Sequence, residues 1–124
     1  MPDIKVLLID DETDYSETMG FYLRAKGYDV KTTSSGRDGI EEIKRERPDI
    51  VFLDFLMPEM DGVETLSGIR VIDKELPVIM VTAYASDEKV QTAKGYGISG
   101  IFPKAEDFTV AARLVGEALK DMKR

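Results

Sequence analysis

The 124-residue chain is expected to form one α/β domain over residues 1–124, a five-stranded parallel sheet covered by helices on both faces. Three observations predict this. Short apolar runs alternate with longer amphipathic stretches along the whole chain. Three of the runs are apolar almost throughout, as strands buried on both faces must be. The remaining two carry the marks of sheet edges.

The first strand is read at Ile4–Ile9, the third at Ile50–Leu53 and the fourth at Val78–Val81, all nearly unbroken apolar runs. Tyr28–Thr32 alternates apolar and polar residues, so it is the second strand, with one solvated face. Gly100–Pro103 is a short fifth strand, and Pro103, with no N–H, means that it lies at an edge or ends there. The first helix is expected from Thr13 or Asp14 to Lys26, with an Asp14–Glu17 capping box and Gly27 closing its C-terminus. The second spans Arg37–Arg47 and stops before Pro48. The third covers Val63–Asp73, and the fourth covers Asp87–Lys94 with Gly95 and Gly97 behind it. The fifth runs Phe108–Met122, where Phe108, Ala111, Leu114, Val115, Ala118 and Met122 make one apolar stripe, with Lys120, Lys123 and Arg124 complementing the helix dipole. Edge marks on strands two and five favour the flavodoxin-like order 2-1-3-4-5, a (βα)5 three-layer sandwich.

Composition narrows the chemistry. Seventeen Lys and Arg against 24 Asp and Glu leave a formal charge of −7, which disfavours nucleic acid or an anionic membrane as partner. There is no Cys, His or Trp, which excludes disulfides, thiolate and His-assisted nucleophiles, and Cys or His metal ligands. Any metal must be held by oxygen, which suits Mg²⁺, Mn²⁺ or Ca²⁺. No apolar run approaches a membrane span and Met1-Pro2-Asp3 does not open a signal peptide, so a cytoplasmic location is expected.

In an open parallel sheet, ligands bind beyond the carboxyl ends of the strands. There strand one ends in Asp10-Asp11 followed by Glu12, strand three in Asp54, strand four in Thr82, and strand five leads into Lys104. Alone, each is an ordinary turn, cap or surface residue. Together they converge on one rim. Two carboxylates ~4 Å apart repel by about 4 kcal/mol at an effective dielectric near 20, so the natural neutraliser is a hard divalent cation such as Mg²⁺.

Leu8-Ile9-Asp10-Asp11-Glu12, the run Val51–Gly62 containing Asp54-Phe55-Leu56-Met57-Pro58 and Asp61-Gly62, then Pro77–Ala83, and Lys104 together resemble the receiver domains of two-component response regulators over essentially the whole chain. The resemblance implies that Asp54 is the phosphoacceptor, forming an acyl phosphate with a phosphoryl group taken from a histidine kinase or histidine phosphotransfer protein. It implies that Asp10, Asp11, Asp54 and the Leu56 backbone carbonyl hold Mg²⁺ (Mn²⁺ as substitute), Asp10 mainly through a water. Thr82 would hydrogen-bond one phosphoryl oxygen and Lys104 would pair with another. The chain would be a signalling module and not an enzyme. Its output would run through helix four, strand five and helix five, where Lys89, Lys94 and Tyr96 lie, to a downstream target, an effector domain or a phosphorylation-dependent dimer.

Three departures from the family pattern stand out. Ala105 follows Lys104 where most relatives have Pro, often after a cis bond, leaving either a cis or a trans path open. Ile101 stands where relatives often carry a Tyr or Phe that swings inward, which points to a switch carried by Thr82 and its loop; Phe102 faces the other side of the sheet and is no substitute. Leu56 and Tyr84 stand at positions that in relatives tune loss of the phosphoryl group; Leu56 cannot orient a water and Tyr84 is bulky, which implies slow hydrolysis. The rivals are a pseudo-receiver, a flavodoxin and a haloacid-dehalogenase-type phosphatase. The last needs a second Asp where Leu56 stands, and Asp10-Asp11-Glu12 would repel a flavin phosphate.

Overall fold

The computed structural model describes residues 3–57, 60–83 and 88–122. Along the chain run β1 (Lys5–Ile9), α1 (Thr13–Ala25), β2 (Asp29–Thr33), α2 (Gly36–Arg45), β3 (Ile50–Asp54), α3 (Gly62–Ile72), β4 (Val78–Thr82), α4 (Glu88–Gly95), β5 (Gly100–Pro103) and α5 (Phe108–Met122). The strands form one parallel sheet in the order β2-β1-β3-β4-β5, as expected from the edge marks. Pro58, Tyr84, Asp87, Lys123, Arg124 and the side chains of Lys89 and Met122 lie outside the described residues.

Strand alternation divides the core in two. Leu7, Ile9, Val51, Leu53, Val78 and Met80 face the side covered by α2, α3 and α4, where Ile43, Leu66, Ile69, Val90 and Ala93 complete the packing. Val6, Leu8, Ile50, Phe52, Ile79, Val81 and Phe102 face α1 and α5, packing on Met19, Leu23, Ala111, Val115 and Ala118. Ile101 and Phe102 therefore do lie on opposite faces, as their spacing requires. The β2 edge is largely solvated: Val30 alone is buried, with Asp29, Lys31 and Thr32 exposed, so the expected alternation holds only over Asp29–Lys31.

Several element ends move by a residue or two, and those moves matter for the site. β3 and β4 each extend one residue beyond the apolar run, so Asp54 and Thr82 are the last residues of their ladders. α2 starts at Gly36 behind Ser35, whose hydroxyl accepts the Asp38 N–H at 3.1 Å, and ends at Arg45 because Glu46 is extended. The expected Asp14–Glu17 capping box is not made. The N-cap of α1 is Glu12, which makes no side-chain cap, and Asp14 is already helical, its carbonyl accepting the Thr18 hydroxyl. Gly27 does close α1, at φ 99°, its N–H donating to the Arg24 carbonyl.

The capping box sits instead on α3. Glu64 N–H donates to Asp61 Oδ1 at 2.9 Å, and Asp61 N–H donates back to Glu64 Oε1. Beside it, Gly62 N–H reaches the Phe55 carbonyl, closing the loop between β3 and α3. A Cβ on Gly62 would lie 2.5 Å from the Phe55 Cα, too close for any side chain. Gly62→Ala is therefore expected to lower stability by about 1–3 kcal/mol, read as a lower urea midpoint. Gly116 lies in α5 with open space around it, so Gly116→Ala is expected to raise the midpoint by the equivalent of about 0.5–1 kcal/mol.

Candidate functional site

Two tight turns build the site. Asp10 directly follows β1, and its N–H extends the ladder to the Thr33 carbonyl at 3.1 Å. Its Oδ1 accepts the N–H of Glu12, two residues on, at 2.8 Å. Asp54 ends β3, and its Oδ1 accepts the N–H of Leu56, again two residues on, at 3.0 Å. Each Asx turn fixes one carboxylate oxygen and aims the other into the space between the strands. Both second oxygens face Lys104: its Nζ lies 3.3 Å from Asp10 Oδ2 and 3.3 Å from Asp54 Oδ2.

Lys104 arrives from across the sheet. β5 lies at the edge beyond β4, and the Lys104 N–H donates to the Thr82 carbonyl at 2.9 Å, which ties the β5 exit to the end of β4. From there the side chain spans to β1 and β3. The Lys104–Ala105 bond is trans, since the described residues hold no cis peptide, so the trans path still delivers the ammonium to Asp54. Thr82 is buried, 3% exposed, beside this junction.

Two further side chains meet the ammonium. Glu12 Oε1 accepts from Lys104 Nζ, and the Tyr15 ring lies 4.8 Å beneath Nζ. Carboxylate oxygens of Asp10, Glu12 and Asp54 fall within 4.8 Å of one another. Asp11 is exposed beside Asp10, near enough for the Asp54 charge to act on its carboxyl. Leu56 covers Asp54 with its backbone N–H while its side chain is 46% exposed.

Asp10 and Asp54 are 5% and 2% exposed. The Asp54 carboxyl is pushed up to about 6, by burial first and by the Asp10 charge beside it, against the pull of the Leu56 N–H and Lys104. Asp11 is also raised, by burial and by the Asp54 charge. Burial pulls Lys104 down, yet Glu12, Asp10 and Asp54 together raise it above the usual ammonium range. Tyr15, half-buried, is pushed up to about 12, mainly by burial. One ammonium thus stands among three close carboxylates, with a fourth beside Asp10. The donor set is all oxygen and under-compensated, which fits a hard divalent cation.

The family model for the response regulator receiver domain matches residues 6–115. The chain belongs to the response regulator receiver domain family. Sporulation initiation phosphotransferase F of Bacillus subtilis is 33% identical over 107 residues, covering 86% of each chain. The transcriptional regulatory protein ZraR of Escherichia coli is 34% identical over 106 residues, 86% of this chain, and this receiver domain spans about a quarter of the length of such regulators. Among solved structures, the chemotaxis protein CheY4 of Vibrio cholerae superposes with a TM-score of 0.90 at 28% identity, over 94% of this chain and 99% of its own. A chain of the CheX–CheY–BeF3–Mg²⁺ complex of Borrelia burgdorferi superposes at 0.88 with 27% identity, over 96% and 90%.

The structure brings Asp10, Asp54 and Lys104 into direct contact and sets Asp11, Leu56 and Thr82 around them. Sequence reasoning left two participants without a role. Glu12 was legible only as the third of three acids, and its partner lies 92 residues away. Tyr15 reads in sequence as one residue of an amphipathic helix.

Raised acids fix the sign of the pH response. Asp54 titrates near 6 in the fold and near 3.8 when unfolded, so between those values the folded receiver domain binds more protons. Its contribution to stability is therefore greatest below about pH 4 and is lost as pH rises through about 6. With divalent cations chelated, urea midpoints of the wild type are expected to fall relative to those of Asp54→Asn across this window. Parallel curves would contradict the shift.

Proposed function

We propose that Asp54 accepts a phosphoryl group from a phosphohistidine on a histidine kinase or histidine phosphotransfer protein, and that its acyl phosphate changes what the domain binds. The observation that carries this reading is the aim of Asp54. One oxygen is fixed by the Leu56 N–H and the other points at the Lys104 ammonium, at the carboxyl end of β3. That second oxygen would attack phosphorus as the P–N bond of phosphohistidine breaks and the imidazole nitrogen keeps the electron pair. The transition state spreads charge over the equatorial oxygens, so positioning and neutralisation supply the catalysis.

Lys104 has two parts to play. Its ammonium favours the ionised, nucleophilic form of Asp54, and it would then pair with a phosphoryl oxygen. Thr82, at the end of β4 beside Lys104, would donate its hydroxyl to another oxygen. Asp10, Asp11, Asp54 and the Leu56 carbonyl would hold Mg²⁺, or Mn²⁺, which when bound neutralises the carboxylates and the incoming phosphoryl oxygens. The domain acts as a substrate of its own phosphorylation, a signalling module and not a turnover enzyme.

Ile101 packs with the cluster under α4, in place of a mobile ring, so the switch would pass through Thr82 and the Lys104 backbone bonded to it. The α4–β5–α5 face, with exposed Lys94 and Tyr96, is the surface on which a target, an effector domain or a second receiver would read the change. The −7 charge disfavours direct nucleic-acid contact. No helix among the described residues is long and apolar enough to cross a membrane, which accords with a cytoplasmic setting.

Acetyl phosphate with Mg²⁺ is expected to add one hydroxylamine-labile phosphoryl group, seen by intact mass. Asp54→Asn should take none, chelation of Mg²⁺ should stop the reaction, and Lys104→Ala should slow it by about 10²-fold or more. Since the Leu56 side chain has no group to orient a water, the adduct should outlast seconds after the donor is removed. No adduct on wild type would favour a pseudo-receiver, and repeated turnover would favour a phosphatase.

A further inference from the structure

An ammonium has three N–H donors, and those of Lys104 face three carboxylates: Asp10, Asp54 and Glu12. Lys104 donates hydrogen bonds to Glu12 and Asp54, with Asp10 an ion-pair partner at 3.3 Å, so a phosphoryl oxygen that pairs with Lys104 competes with these carboxylates for its donors. The three are not equivalent. The Asp10 and Asp54 side chains are 6% and 2% exposed, and each is pinned through its other oxygen to a backbone N–H two residues on. The Glu12 side chain is 63% exposed and has no such anchor. It also makes no cap for α1, although Glu12 is the N-cap residue of that helix. Its hold on Lys104 is the contact most easily exchanged for water.

We infer that Glu12 is a displaceable counterion for Lys104: it stations the ammonium over Asp54 before transfer, then gives up the Lys104 N–H it accepts to the phosphoryl group. The inference rests on Asp54 being the phosphoacceptor. Tyr15 shares the task. Its ring lies 4.8 Å from Nζ, a cation–π contact that keeps hold of the ammonium when Glu12 is released. Glu12 is thus a positioning residue, and its charge sets how readily Lys104 changes partner.

The variant that tests this is Glu12→Gln, which keeps shape and removes charge. Glu17→Gln is the control, since Glu17 lies exposed on the same helix beside Asp10 and has no contact with Lys104 among the described residues. With acetyl phosphate and Mg²⁺, Glu12→Gln is expected to phosphorylate roughly two- to fivefold faster than wild type, and Glu17→Gln at most marginally faster. A second readout needs neither metal nor donor. The Nζ resonance of Lys104, assigned by its loss in Lys104→Gln, should shift in Glu12→Gln and stay fixed in Glu17→Gln. Equal acceleration by both variants, no acceleration by Glu12→Gln, or an unmoved Lys104 resonance would overturn the inference. If wild type takes no phosphoryl group at all, the phosphoacceptor reading fails instead, and the resonance alone decides whether Glu12 holds Lys104.

Discussion

Everything in this domain turns on one ammonium held among carboxylates that the fold forces together. Asp10 and Asp54 end neighbouring parallel strands, and Lys104 Nζ sits 3.3 Å from each. Taken singly, either Asp would be an ordinary turn residue. Side by side and buried, they repel, and Lys104 offsets only part of that repulsion. The raised Asp54 and the raised Lys104 are two views of the same imbalance.

The architecture serves that constraint from several sides. Order β2-β1-β3-β4-β5 makes β1 and β3 neighbours and leaves Lys104 to reach over the end of β4. The backbone bond from Lys104 to Thr82 fixes where that reach begins. The loop after Asp54 is closed by Gly62 against Phe55 and by the Asp61–Glu64 capping box, so Leu56 N–H is held over the carboxylate it orients. Stability stored in α3 and its loop therefore reappears as the aim of one oxygen atom.

Much of this was legible in the sequence because it rests on periodicity. Buried strands announce themselves as unbroken apolar runs, and β2 shows its solvated edge through Asp29 and Lys31 flanking Val30. The rim residues follow from where those runs end. Contacts between distant residues were not legible. Asp14 and Glu17 have capping-box spacing, but helix α1 starts earlier, at Thr13, so the motif falls inside the helix. Glu12 was invisible as a partner for Lys104, because no local pattern reports a pairing across 92 residues. The trans Lys104–Ala105 path was likewise open until the chain trace showed the ammonium arriving without a cis bond.

The central claim is that this cluster is under-compensated and that a hard cation completes it. The most direct measurement is the unfolding temperature of the wild type and of Asp54→Asn as Mg²⁺ is raised, at neutral pH. A cation that binds only the fold stabilises it by mass action. The wild type should gain stability steadily with Mg²⁺, and Asp54→Asn should gain far less. A wild type indifferent to Mg²⁺, or an equal gain in the variant, would contradict the account.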